Sequence, residues 1–142
     1  MMKKIIIFAL VTVTAVIAIV VTISLLNPLR RQTQEEILRN VLEITPIGMN
    51  MEEVLEVIER EDWELWNVNH YHGFIRRPTD PEDFALGRET IIGVKSISAC
   101  LGTYIGGHGR IFHSYTGVTV RWGFDENSIL IDVIVLKETD AP

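Results

Sequence analysis

Residues 118–136 read VTVRWGFDENSILIDVIVL, two apolar stretches separated by a cluster of turn-forming residues. In the first stretch every second residue is large and apolar: Val118, Val120, Trp122 and Phe124. This two-residue period predicts a strand with one buried face, while Thr119 and Arg121 point to the other face. The cluster from Asp125 to Ser128 predicts a turn that reverses the chain.

The second stretch, Ile129 to Leu136, predicts a strand that returns beside the first. Its two faces hold different residues: Ile131, Val133 and Val135 on one, and Leu130, Asp132, Ile134 and Leu136 on the other. Because both faces are largely apolar, we expect this strand to be central in its sheet or covered on both sides.

Two further strands are predicted upstream. Residues 92–101 alternate Ile97, Ala99 and Leu101 with Ser96, Ser98 and Cys100. Residues 63–68 form a shorter strand with a tryptophan on each face. The sequence therefore predicts an antiparallel sheet of about four strands in the carboxyl-terminal part of the domain.

Two helices are expected before the sheet. Thr33 with Glu36, and Asn50 with Glu53, have the spacing of capping boxes that begin helices. Apolar residues then recur at helical spacing, and Pro46 ends the first helix. Two helices followed by an antiparallel sheet make an α+β domain.

From Ile5 to Leu26 the chain is apolar without a charged residue, and lysines before it and arginines after it flank the run. At ~1.5 Å per residue a helix of this length reaches roughly 33 Å, enough to cross a bilayer core of ~30 Å. We expect residues 1–31 to be an uncleaved transmembrane anchor in the lipid bilayer, so that the chain is a single-pass protein of the cell membrane. We expect the amino terminus to be cytoplasmic and residues 32–142 to form an extracytoplasmic domain. A cleaved signal peptide is the alternative.

All 19 acidic residues lie in residues 32–142, together with 9 of the 13 basic ones. A net charge of −10 in this part repels nucleic acid, so we expect no nucleic-acid partner. Cys100 is the one cysteine, which excludes an intramolecular disulfide and favours a bacterial source. Linker-like composition occurs only at Asn27–Gln32 and in the turn-rich segment 78–87.

Four stretches, TPIGMNMEEV (45–54), WGFDE (122–126), LIDV (130–133) and KETD (137–140), resemble a family of short bacterial proteins. Those proteins begin with a similar membrane or signal segment and have no assigned activity. More distantly, Gly48-Met49-Asn50 leading into a helix with Glu53-Val54 resembles the small outer-membrane assembly lipoproteins and the β-lactamase-inhibitor-like fold. The resemblance implies two helices packed on an antiparallel sheet and the character of a binding module. This chain lacks the lipid-anchor cysteine and the disulfides of those proteins.

Several residues are of types that bind metal ions or act in catalysis. His70 and His72 are a His-x-His pair to which His108 and His113 could add metal ligands, although surface histidines explain the pattern as well. Cys100 with His108 or His113 and Asp132 has the composition of a cysteine nucleophile system, although a mid-strand cysteine is more often a small buried apolar residue. The glycines from Gly102 to Gly109 lack the Gly-Lys-Ser/Thr sequence of a phosphate loop and predict a hairpin connection.

The stretch 69–88 is the strongest candidate for contact with a partner. It combines aromatic, histidine and arginine side chains at His70, Tyr71, His72, Phe74, Arg76 and Arg77. Aromatic residues and arginines are enriched at interface centres, and long loops often carry function, although a plain connection gives the same composition. We therefore expect a membrane-anchored, non-enzymatic module, without a cofactor or metal, that binds a protein or an envelope component. The alternatives are a cysteine- or metal-dependent hydrolase using Cys100 or the histidines, and a structural role in envelope assembly.

Overall fold

The computed structural model of the chain describes residues 2–77, 87, 89–105 and 115–139. Its elements in chain order are α1 (Met2–Leu26), α2 (Pro28–Arg31), α3 (Gln34–Ile44), α4 (Met51–Arg60), β1 (Glu64–Asn69), β2 (Phe74–Arg76), β3 (Thr90–Ile92), β4 (Lys95–Ile105), β5 (Tyr115–Phe124) and β6 (Leu130–Thr139). In the described part of the chain, β1, β4, β5 and β6 form one antiparallel sheet in that spatial order, and β2 pairs with β3 in a separate two-stranded ribbon. The predicted α+β class with a four-stranded antiparallel sheet is confirmed.

The two helices that cover the sheet begin where the sequence predicts. The Thr33 hydroxyl accepts a hydrogen bond from the Glu36 amide, and the Glu36 carboxylate accepts one from the Thr33 amide. Asn50 and Glu53 form the second capping box in the same way. Each box satisfies amide groups that a helix start leaves without intrahelical partners, so the entry points of α3 and α4 are set by local sequence.

The core lies between α3 and α4 and one face of the sheet. The predicted apolar face of β5 is fully buried: Val118, Val120, Trp122 and Phe124 each have 0% exposure. The Trp122 Nε1–H donates to the Thr45 Oγ1 at 3.0 Å, and the Trp63 ring stacks on the Trp122 ring with centroids 6.0 Å apart. The side chain of Trp122 therefore connects the middle of the sheet to the end of α3 and to the start of β1.

The single strand predicted over residues 92–101 is divided in the structure. β3 ends at Ile92 and β4 begins at Lys95, because Gly93 adopts a φ of 76°. A Cβ atom at this position would lie 2.6 Å from the Phe124 carbonyl oxygen, so only glycine fits here. The alternating pattern cannot reveal this break, since the residues on both sides of it are extended.

The register of β6 also differs from the prediction. Ile131 is an extra residue, a β-bulge, between two ladder pairs that join Leu130 to Phe124 and Asp132 to Gly123. As a result Leu130 lies on the buried face with Val133, whereas Ile131 is 44% exposed. The prediction that Ile131 shares a face with Val133 was therefore wrong.

Of the two alternatives for the last strand, a central position in the sheet or cover on both faces, the first was wrong. In the described sheet β6 is the outermost strand and pairs with β5 on one side only. The apolar residues on its second face, Ile134 and Leu136, are half-buried on the sheet face opposite α3 and α4, which we call the outer face.

The amino-terminal helix is confirmed as a helix of 25 residues. However, the part of the chain that the structure describes contains no helix that is both long enough and apolar enough to cross a membrane. The membrane-spanning role of residues 5–26 stays a prediction.

The hydrogen bond between Trp122 and Thr45 can be tested with a double-mutant cycle of Trp122→Phe and Thr45→Val in the full chain. Thr45→Val leaves a buried indole N–H without an acceptor, which costs about 1–3 kcal/mol of the free energy of unfolding. We expect the double variant to lose less than the sum of the single variants by about 0.5–1.5 kcal/mol, measured by urea unfolding with far-UV circular dichroism. Additive losses would contradict a direct interaction.

Candidate functional site

Residues 78–86 and 88 of the predicted contact segment lie outside the described residues, whereas residues 69–72 form a turn with exposed side chains after β1. The Asn69 Oδ1 accepts hydrogen bonds from the amides of Tyr71 and His72, each at 2.9 Å, which closes a turn. The Ser96 hydroxyl on β4 donates to the His72 carbonyl oxygen and attaches this turn to the sheet. His70, Tyr71 and His72 are exposed, Tyr71 to 84%. Their side chains are available to a partner without rearrangement of the backbone.

Phe74 has a different role from the one predicted. Its side chain is only 5% exposed, and it packs where a Cβ atom on Gly123 would lie 2.9 Å from the Phe74 ring. The absence of a side chain at Gly123 lets the β2–β3 ribbon approach the outer face of the sheet. Phe74 therefore anchors the ribbon and is not a surface contact residue.

Arg76 and Arg77 follow Phe74 and lie beside the edge of the sheet. Arg76 forms a salt bridge with Asp132 on β6, and the two side chains are 43% and 29% exposed. Partial exposure makes the contribution of this pair to stability small, but the pair fixes the ribbon against β6. Arg77 is exposed and, within the described residues, forms no salt bridge.

These arginines belong to a groove of about 740 Å³ that runs along β6, which we call the β6 groove. Its lining comes from α3, the β2–β3 ribbon, β5 and β6: Gln34, Glu35, Leu38, Ile75, Arg76, Arg77, Glu89, Thr90, Arg121, Val133, Ile134, Val135, Leu136 and Glu138. α3 forms one wall and the ribbon forms the other, so the strand lies on the floor between them. Of the six predicted contact residues, two, Arg76 and Arg77, line this groove, and Ile75 from the same segment also lines it.

The floor of the groove presents backbone hydrogen-bonding groups. Loop residues 48–51 pair with the start of β6, since the Gly48 amide donates to the Leu130 carbonyl and the Leu130 amide donates to the Met49 carbonyl. Beyond this point no other described strand pairs with the outer edge of β6. This part of the edge, residues 132–138, is about 20 Å long at ~3.3 Å per residue.

The direction of these backbone groups follows from one hydrogen bond. The Val133 amide donates to the Asp132 Oδ1 at 2.8 Å, so it does not bond to β5. Because the direction alternates with every residue, we infer that the amide and carbonyl groups of Val133, Val135 and Lys137 point away from β5, and of these three residues Val133 and Val135 line the groove. An edge of this kind is a template for another extended segment.

The charges of the groove have both signs. Arg77 and Arg121 have no salt-bridge partner among the described residues, and Glu35, Glu89 and Glu138 lie along the same lining. A mixed lining does not select a strongly acidic or strongly basic partner. The backbone hydrogen-bonding groups along the edge of β6 are therefore the main binding interaction available in this groove, and the side chains can adjust its specificity.

The residues of the alternative catalytic hypothesis do not converge. Cys100 is 3% exposed and its thiol contacts the Gly102 carbonyl oxygen at 3.5 Å. Asp132 lies two strands away and four residues further along the sheet, which places the two positions about 16 Å apart. Asp132 is also paired with Arg76. His108 and His113 lie outside the described residues, as do Gly106, Gly107 and Gly109.

A metal site is likewise not assembled in the described part of the chain. There, no group of three or more histidine, cysteine or carboxylate side chains is placed to hold an ion. His70 and His72 lie on the exposed turn after β1, and the additional predicted ligands, His108 and His113, lie outside the described residues.

The connection between α1 and the sheet is held in place, contrary to its linker-like composition. The Lys137 Nζ donates to the carbonyl oxygens of Leu29 and Gln32, at 2.6 and 2.5 Å. It also lies over the Tyr104 ring, 5.4 Å from the centroid. The Asn27 side chain contacts the Thr103 carbonyl at 3.4 Å. A basic side chain at the last carbonyls of a helix is favourable, so Lys137 fixes α2 to the sheet.

Comparison of the chain with protein-family models finds no matching family, and comparisons with curated proteins and with solved structures find no match either. The resemblances of the sequence to the short bacterial proteins, and more distantly to the small outer-membrane assembly lipoproteins and the β-lactamase-inhibitor-like fold, therefore stay predictions.

The contact between Lys137 and α2 predicts a change in protease sensitivity. Charge-assisted hydrogen bonds contribute about 1.5–3 kcal/mol each, so Lys137→Met releases α2 from the sheet. We expect trypsin to cleave after Arg30 or Arg31 about tenfold faster than in the parent chain, as measured by mass spectrometry of timed digests.

The matched control is Lys95→Met, because the Lys95 Nζ also makes two hydrogen bonds, to the Glu126 carbonyl and the Ser128 hydroxyl, at the opposite end of β6. Cleavage after Arg30 or Arg31 that is equal in the two variants would contradict a specific role for Lys137.

Proposed function

We propose that this chain is a membrane-tethered, non-enzymatic binding module whose β6 groove receives an extended segment of a partner protein. In this proposal residues 5–26 lie in the bilayer of the cell membrane, the amino terminus is cytoplasmic, and the domain after residue 31 lies on the other side. The observation that carries the binding role is the outer edge of β6 on the floor of a groove with two ordered walls.

An extended protein segment fits this groove better than a compact ligand. The outward backbone groups of Val133, Val135 and Lys137 repeat every ~6.8 Å, which is the spacing of a pairing strand. The Val133 amide is already bonded to the Asp132 Oδ1, so Val133 offers its carbonyl oxygen and Val135 offers both groups. Peptides that add a strand to a sheet edge obtain affinity from main-chain hydrogen bonds and specificity from pockets for alternate side chains. Ile75 and Leu136 supply apolar lining that side chains of the bound segment can contact.

The tether is supported by the sequence and by the helix. The uncharged run from Ile5 to Leu26 is helical along its length, and a helix satisfies its own backbone hydrogen bonds in lipid. Lys3 and Lys4 before the run, and Arg30 and Arg31 after it, are suited to the two interfaces.

The tether predicts the behaviour of the full chain during extraction. We expect the chain to stay in the membrane pellet after alkaline carbonate treatment and to be released only by detergent, as measured by immunoblotting of the fractions. A matched variant carries Ile17→Arg and Val21→Arg in α1. Arginine near the centre of a spanning helix costs about 2.5–3.5 kcal/mol per residue, so this variant should be found in the soluble fraction or be degraded. Release of the parent chain by carbonate would contradict the tether.

The binding role predicts site-specific photo-crosslinking in cells. A photoreactive amino acid at Ile75 or Arg77 should capture one defined protein, whereas the same probe at Glu56, on the exposed face of α4, should not. Val135→Pro should reduce the captured product about tenfold, because proline removes the outward amide that pairs with the partner.

Val135→Ala is the matched control, since it loses similar packing and keeps the amide. Proline is tolerated at this position because the amide does not bond to β5. Thermal unfolding of both variants, followed by circular dichroism, checks that the domain is folded. Equal capture by the proline and alanine variants, or equal capture from Glu56, would refute pairing along β6.

A further inference from the structure

A second cavity lies on the other side of the domain, between α2, α3 and the start of the sheet. Its volume is about 310 Å³. Six of its lining residues are apolar: Leu29, Ile37, Val41, Ile44, Trp63 and Leu101. Two of these, Ile37 and Val41, belong to the buried core, so the cavity extends from the surface to the core. It shares no lining residue with the β6 groove.

The walls of this cavity are held by contacts already described. The Trp63 ring is stacked on Trp122, and Trp122 is fixed by its hydrogen bond to Thr45. On the opposite side Leu29 approaches the backbone at Gly102, where a Cβ atom would lie 3.0 Å from the Leu29 Cδ1. Lys137 holds the carbonyl oxygen of the same leucine. The cavity is therefore preformed, which lowers the entropic cost of binding a ligand.

The lining defines the chemistry of a ligand. No charged side chain lines the cavity, and its polar side chains are three amides, those of Asn27, Gln32 and Asn40. Of these, Asn40 is exposed and the other two are half-buried, so all three amides are accessible to solvent, whereas Ile37 and Val41 are the deepest apolar residues of the lining. A charged ligand group would lose its hydration in the apolar part without gaining a partner. An apolar ligand with its polar end at the amides meets no such cost.

The size and position of the cavity favour a linear chain. A cavity of ~150 Å³ holds one benzene molecule, so about 310 Å³ has room for roughly a dozen carbon atoms. Asn27, which lines the cavity, directly follows the last residue of α1, so the cavity lies next to the end of the apolar amino-terminal helix.

We propose that this cavity binds a single linear acyl chain, with the methyl end toward Ile37 and Val41 and the polar end at the amides of Asn27, Gln32 and Asn40. The chain comes from a membrane phospholipid or from a free fatty acid, which share this chemistry. The phospholipid source depends on the proposed membrane tether. Binding of the acyl chain itself does not, because it is argued from the cavity alone.

The test uses the full chain in phosphatidylcholine vesicles with two photoreactive probes. One is palmitic acid with a mid-chain diazirine, and the other is phosphatidylcholine carrying the same diazirine in one acyl chain. After irradiation, mass spectrometry identifies the labelled residues. We expect labelling within residues 37–44 and at Trp63, and at least tenfold less labelling when excess unlabelled palmitic acid competes with the free-acid probe.

Ile44→Trp fills the cavity and should reduce labelling of these residues about tenfold. The matched control is Leu42→Trp, a substitution of the same kind on the same helix at a half-buried residue that does not line the cavity. The competition in the parent chain tests the proposal independently of whether either variant folds.

The outcomes separate this inference from the proposed function. Competed labelling of the cavity by either probe supports the inference, and the probe that labels identifies the source of the chain. Labelling confined to α1, or labelling of residues 37–44 that palmitic acid does not compete, overturns it, whatever the crosslinking from the β6 groove shows. If carbonate releases the chain from membranes, the tether fails, and labelling by the free acid still decides this inference.

Discussion

The hydrogen bond from Trp122 to Thr45 is the interaction on which the rest of the structure depends. A tryptophan that is 0% exposed must find an acceptor for its indole N–H, because an unpaired buried donor costs about 1–3 kcal/mol. The acceptor is the residue that caps the carboxyl end of α3, directly before Pro46. This one bond sets the position of α3 along β5, and α3 in turn forms a wall of both cavities.

The free edge of β6 follows from how the sheet ends. The bulge at Ile131 and the pairing of residues 48–51 with the start of β6 use the first part of this edge. Beyond them, the β2–β3 ribbon is held over the outer face by Phe74 against Gly123 and by Arg76 against Asp132, beside β6 and not in line with it. The ribbon therefore forms a wall instead of a fifth strand, and the edge groups of β6 stay accessible between the ribbon and α3. Charged residues such as Glu138 on this strand discourage indiscriminate pairing.

The sequence predicts the parts of this fold that depend on local pattern. Both capping boxes, the end of α3 before Pro46 and the buried face of β5 are confirmed, since each is determined by residues close in the chain. The break at Gly93 and the bulge at Ile131 were missed because they depend on what lies across the sheet, such as the Phe124 carbonyl beside Gly93. The same limit applies to the site. The aromatic and arginine residues predict a contact segment at 69–88, yet the groove joins only Ile75, Arg76 and Arg77 of its first part to residues from α3, β5 and β6. One signal was present in the sequence: Asp132 and Arg121 interrupt otherwise apolar strands.

Lys137 connects the groove to the amino-terminal helix. It lies on β6 between Leu136 and Glu138, which line the groove, while its side chain holds the carbonyl oxygens of Leu29 and Gln32 beside the second cavity. If a flexible linker joined α1 to the sheet, the groove would adopt many orientations relative to α1. Its effective concentration in any one orientation would then be lower. Because α2 is fixed to β6 by this residue, the position of the groove relative to the end of α1 is set by the sheet itself. If α1 lies in a bilayer, the domain then holds the β6 groove at a defined height above it, because Lys137 restricts the orientations that the domain can adopt relative to α1.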